Sequence, residues 1–220
     1  MPNWVIGRQR TDLLMKNLFL HKRLHVRFLA LYATASLVFV LAWILSYYLL
    51  PEGVLRGRTG AHFLAGTRAA STFLGEWSRI LFINITIGSL FIVVPNLIRS
   101  AGGYPLGYYV PLGWAMLYAG LLGTNSFGLP IPGGRLPPSF AVLVRSGPYE
   151  IAAFILLAAA TYPISKYQIK GRWPRQKLEP LVPHAGSCLS KEERLGLIVA
   201  ILVLSAANAW EAYQMTTYPS

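Results

Sequence analysis

Glu150 stands at the head of an apolar run, Ile151 to Ser165, that carries no charge. A helix break, Ser146-Gly147-Pro148, comes just before it. Proline is favoured at the first helical position. That makes Gly147 the expected cap and Glu150 the third helical residue, where a carboxylate can reach free backbone N–H groups and complement the helix dipole. The same acid could instead tie to Arg79 or Arg145. It could also form an ion or substrate site, because ionisable groups within apolar spans mark functional positions. Glu76 and Arg79 lie one helical turn apart and can pair on one face. Asn84, deeper in the same run, suits an interhelical hydrogen bond. Glu150, Arg79, Glu76, Arg145, Asn84, Gly147 and Pro148 are therefore the candidate polar or structural site.

Catalytic patterns do not accompany these residues. The chain has no HExxH, no GxSxG and no phosphate-binding P-loop. The segment Gly123 to Gly128, GTNSFG, contains a serine without nucleophile-elbow spacing. No acid cluster in the sequence has the pattern needed to hold Mg²⁺ for a lipid transferase. His21 and His25 are one turn apart but sit in a basic leader, and His62 and His184 are scattered, so no metal site is expected. Cys188 is the only cysteine, which excludes an internal disulfide and a cysteine metal cluster. A non-enzyme without cofactor or metal is the expectation.

Long apolar elements position the candidate residues. The chain has 220 residues, of which 54% are hydrophobic and 13% charged; soluble domains carry about a quarter charged residues. Mean hydropathy is +0.46. The fold class expected is all-α: a polytopic helical membrane protein with about five transmembrane helices and an N-terminal amphipathic surface helix. Spans are predicted over Phe28 to Leu50, Phe73 to Ile98, Leu106 to Gly123, Pro148 to Ser165 and Leu195 to Met215. Residues 1–27 form a basic leader and 28–220 a single transmembrane domain. Within the leader, Thr11 to Arg27 place Leu14, Leu18 and Leu24 on one side and Lys16, Lys22, Arg23 and Arg27 around them, which predicts a helix lying on an anionic leaflet. Pro95-Asn96 predicts a kink. Ser139 to Arg145 is too short to span and reads as an interfacial or re-entrant piece. Ser190 and Glu193 form a capping-box pattern ahead of the last span. Ala152, Ala153, Ala158, Ala159 and Ala160 offer a close-packing surface for another helix.

Charge sets the expected topology. The net charge is +12, but the basic residues flank spans and interleave with no stacking platform, so a nucleic-acid partner is not expected. Lysine and arginine cluster in the leader and between the fourth and fifth spans, and both clusters should face the cytoplasm. This places the protein in the cell membrane as a multi-pass chain, N-terminus in and C-terminus out. Glu76, Arg79, Arg145 and Glu150 then share one depth.

Two stretches resemble the stage II sporulation protein M family of multi-span membrane proteins. The family has a motif like P-H-G-x-x-E-[IL]-x-A ahead of a small-residue span. Gly147, Glu150, Ile151 and Ala153 match it, while Arg145 and Ser146 stand where the family has Pro and His. Upstream, Asn84 fits an Asn-containing span, and Gly103, Leu106 and Gly107 fit an N-G-x-x-L-G element in which Gly102 replaces the Asn. The resemblance covers about residues 75 to 165. It implies a helical membrane protein without known catalysis, acting as a scaffold or assembly component, or in transport. Two functions follow as expectations. One is a structural or assembly subunit of a larger membrane complex, with the lipid bilayer and other membrane subunits as partners and room for an oligomer. The other is a transporter or channel component whose polar path is lined by Glu150, Arg79 and Asn84.

Overall fold

The computed structural model describes residues 16–60, 72–128, 131, 133–171, 174–181 and 189–217. Within them the chain is mostly helical. The main helices are α1 (Leu24–Leu49), α2 (Phe73–Gly88), α3 (Tyr109–Thr124), α4 (Gly147–Ala160) and α5 (Lys191–Thr217). Three helices are long and apolar enough to cross a membrane: Leu24–Leu49, Phe73–Leu97 and Lys191–Thr217. Their surfaces are apolar on the outside as well as within. Leu37, Phe82 and Leu202 are 61%, 72% and 63% exposed. Helices apolar all round belong in lipid or in a large core. α3 and α4 have 16 and 14 residues. At about 1.5 Å per residue they are shorter than the ~30 Å hydrocarbon layer.

Contacts fix the helix directions. The Ser46 hydroxyl donates to the carbonyl of Ala119 at 3.2 Å, and the Tyr108 hydroxyl to that of Phe19 at 3.3 Å. α1 and α3 therefore run parallel. Gly88 packs on Phe154 and Leu157, while Asn96 donates to the Ala158 carbonyl at 2.9 Å and the Thr161 hydroxyl at 2.6 Å. That makes α2 and α4 parallel as well. Arg27 donates to the Ala159 carbonyl, and Gly196 packs against Leu24 and Ala160. α4 thus opposes both α1 and α5. Directions alternate along the chain, so the start of α1, the end of α2, the start of α3, the end of α4 and the start of α5 gather at one end.

A small sheet closes that end: β1 (Ile98–Arg99), β2 (Tyr167–Lys170) and β3 (Lys177–Pro180), in that order. β1 pairs parallel to β2, and β2 antiparallel to β3. The sequence predicts only a basic loop here. The continuation of α2 also departs from α-geometry. It turns into a π-helix at Ser89–Val93 and a 3-10 turn at Pro95–Leu97. Pro95 lacks an N–H and its ring clashes with the carbonyl four residues back, so the ladder loosens one turn before it, as the expected kink requires. The Ser139–Arg145 piece is a 3-10 helix over Phe140–Val144, held against α5 by the Trp210 indole N–H on the Val144 carbonyl at 2.8 Å.

The leader differs from the expected continuous helix. Among its described residues Lys16 to Phe19 are helical, and the chain turns over Leu20 to Arg23 before α1 begins at Leu24, four residues ahead of the expected Phe28. Residues 11–15 lie outside the described residues. Arg27 explains the turn: its Nη1 donates to the carbonyls of His21 at 2.7 Å and Lys22 at 2.9 Å, folding them back over it. Arg27 is not on a solvated basic face. It is 1% exposed and pairs with Glu193 at 2.8 Å. The capping box forms as its pattern predicts, with the Ser190 N–H on Glu193 Oε2 at 2.8 Å and the Glu193 N–H on Ser190 Oγ at 3.3 Å. Glu193 therefore caps α5 and neutralises α1 at once. The alanine patch is interior: Ala158, Ala159 and Ala160 are fully buried and Ala153 nearly so.

Candidate functional site: the Glu150–Glu211 junction

α4 starts one residue earlier than the proline alone suggests. Ser146 is the N-cap residue and Gly147 the first helical residue, with Pro148 behind it. Ser146 already has helical angles, φ −69 and ψ −35, and makes no side-chain cap. The Glu150 N–H donates to the Ser146 carbonyl at 3.1 Å. Its carboxyl lies within reach of the Ser146 hydroxyl and, across the α4–α5 interface, of the Glu211 carboxyl. Carboxylates only accept hydrogen bonds, so such a bond between two carboxyl groups needs one of them to carry a proton. Glu150 Oε1 is buried without a hydrogen-bond partner among the described residues.

α2 supplies the rest of the cluster. Glu76 is fully buried. Arg79 holds its carboxylate with two nitrogens, Nε on Oε2 at 3.2 Å and Nη2 on Oε1. Both residues are close enough to Glu211 for their charges to act on it. Arg79 therefore pairs with Glu76 rather than tying to Glu150, because the intrahelical partner three residues away needs no reach across an interface. Asn84 makes the interhelical bond its position suggests: its Nδ2 donates to Asn208 Oδ1 on α5 at 3.0 Å. Asn208 is fully buried, and its own Nδ2 has no partner among the described residues. Arg145 is near the Tyr118 ring of α3, which also faces Glu150 and Glu211.

The structure thus brings Glu150, Glu76, Arg79 and Asn84 to the junction of α2, α4 and α5, with Arg145 at its edge. Glu211 and Asn208 are the partners that the sequence reading missed. A signal for Glu211 was present, since it is an acid inside the otherwise apolar fifth run, one turn beyond Asn208 on the same face. Gly147 has a packing role. A Cβ there would meet the Tyr118 ring. Gly147→Ala is accordingly expected to destabilise the chain by about 1–3 kcal/mol through overpacking, read as a lower midpoint in a detergent unfolding titration. Gly113→Ala, at a position with open space around it, serves as the neutral control.

Among the described residues no three His, Cys, Asp or Glu side chains converge in a geometry that could hold a metal ion. The class defined by fold and site is a mostly helical protein with three helices long and apolar enough to cross a membrane and an internal network of acids, arginine and amides. Compared with protein-family models, with curated proteins and with solved structures, the chain matches none.

Proposed function

We propose that the protein is a non-enzymatic, five-pass integral membrane protein that serves as a structural or assembly subunit of a larger membrane complex. The observation that carries this reading is an apolar groove of about 420 Å³ on the α4–α5 face. It is lined by Leu143, Val144 and Tyr149 and, from α5, by Val203, Ala206, Ala207 and Trp210. A lining that combines small residues with aromatic ones suits a transmembrane helix of another subunit. The resemblance to the stage II sporulation protein M family supports the same reading, since its matching positions Gly107, Gly147 and Glu150 fall at close interhelical contacts. A photo-crosslinking residue in place of Trp210, activated in native membranes, tests it. Discrete protein adducts are the expected result, whereas adducts to lipid alone would remove the assembly role.

The proposed topology has the N-terminus and the sheet on the cytoplasmic side of the cell membrane and the C-terminus outside. Exposed Lys16, Lys22, Arg23, Lys166, Lys177 and Lys191 at the sheet end support it. On a Cys188-free background, cysteines at Ser165 and Ser220 should label from opposite sides. Labelling from one side would rule out an odd number of crossings.

A second reading, a transporter or channel component, draws on Glu150 Oε1 and Asn208 Nδ2, buried atoms without a hydrogen-bond partner among the described residues. Loss of a solute or ion flux in Glu150→Gln at unchanged stability would favour it.

A further inference from the structure

The sheet has two chemically distinct faces. Its register sets Arg99 beside Gln168 and Gln168 beside Glu179, with Lys170 beside Lys177 in the next row. Alternation along each strand puts these five on one face and Ile98, Tyr167, Ile169, Leu178 and Pro180 on the other. On the polar face the one acid, Glu179, is engaged by Lys170 at 2.7 Å. Arg99 is different. Its guanidinium sits 4.7 Å from the centre of the Tyr162 ring, its Nε is buried without a hydrogen-bond partner, and no carboxylate pairs with it among the described residues. Arg27, 4.9 Å from the centre of the same Tyr162 ring, differs in using Nε, Nη1 and Nη2 on protein acceptors. A guanidinium desolvated on one side and left without an anion is costly. A planar donor fork stacked on an aromatic ring is the form of arginine that recognises phosphate.

Depth identifies the source of the phosphate. Arg99 comes two residues after Leu97, the last residue of the 25-residue apolar helix that begins at Phe73. It therefore sits at the level of lipid headgroups. The opposite sheet face offers exposed apolar side chains there, Tyr167 at 42% and Leu178 at 53%. We propose that Arg99, stacked on Tyr162 and flanked by Gln168 and the lysines of the hairpin, binds the phosphate of an anionic lipid headgroup. Lys166, Lys170, Arg175 and Lys177 are exposed on or beside the β2–β3 hairpin and draw anionic lipid toward the site. The inference rests on the membrane reading but not on the assembly role. Recovery of the chain in the membrane fraction tests the former separately.

The test uses the full chain purified in a neutral detergent, with bound lipid counted by native mass spectrometry. Phosphatidylglycerol, phosphatidylcholine and inorganic phosphate are the three probes. Phosphatidylglycerol should bind, and the other two should not at equal concentration. Arg99→Gln should weaken phosphatidylglycerol by about tenfold or more, the loss of a charge-assisted bidentate contact. Lys191→Gln, which removes the same charge at the same end but off the sheet, should leave binding unchanged. Gln168→Glu covers the case in which Arg99→Gln fails to fold: it supplies Arg99 with an internal partner, so the fold should hold while lipid binding is lost. Equal binding of phosphatidylcholine, equal binding of inorganic phosphate, or full phosphatidylglycerol binding by Gln168→Glu would each overturn the proposal. So would an equal loss in Lys191→Gln, which would mean a diffuse charge effect.

Discussion

Glu193→Gln should cost the folded chain about 3–5 kcal/mol, because it leaves the Arg27 cation buried and unpaired. Arg27 is 1% exposed and its partner carboxylate 8%, so solvent offers little screening. The substitution separates charge from capping. Glutamine can still close the box with Ser190, so helix-start geometry survives and the loss reports the ion pair. Arg27→Met in the Glu193→Gln background should recover most of it. A double-mutant cycle on denaturant unfolding in detergent measures the coupling. If Glu193→Gln costs no more than about 1 kcal/mol, the typical value of a cap, then the pair does not fasten α1 to α5.

The second large effect concerns the two carboxyl groups that meet across α4 and α5. Glu150→Ala should cost about 2–4 kcal/mol, because it opens a cavity and leaves the Glu211 carboxyl without the group that faces it. Glu150→Gln should cost about 1 kcal/mol or less, because the amide fills the same space and donates an N–H to Glu211. The contrast between the two variants is the diagnostic. Equal costs for alanine and glutamine would mean that the carboxyls do not interact. The reciprocal pair, Glu211→Ala and Glu211→Gln, should repeat the pattern, with a larger alanine effect because Glu76 and Arg79 also face Glu211.

The long apolar helices were readable from the chain because such a run extends over twenty or more consecutive residues, and the runs containing α1, α2 and α5 have that length. The Ser190–Glu193 capping box was readable for the same reason: both partners lie within one helical turn. What stayed hidden depends on distant partners. Arg27 reads as one more leader cation, and only Glu193, 166 residues away, turns it into a core residue. β1 is two residues long and finds β2 almost seventy residues later, too little alternation for any periodic signal. At Glu150 the sequence offers a helix-start cap, a tie to Arg79 or Arg145, or an ion site, and no acid partner. Charge complementarity favours Arg79, but helix α2 satisfies Arg79 from within, and the antiparallel register of α4 and α5 puts an acid opposite instead.

Whether the junction of α2, α4 and α5 is dry decides between a structural bundle and a polar path. Single cysteines replacing Glu150 and Glu211 on a Cys188-free background, treated in intact membranes with a small hydrophilic maleimide from either side, measure this directly. The structural account predicts that neither cysteine reacts until the membrane is dissolved in denaturing detergent. Rapid labelling of either position in intact membranes would contradict it and place a water-filled route through the cluster.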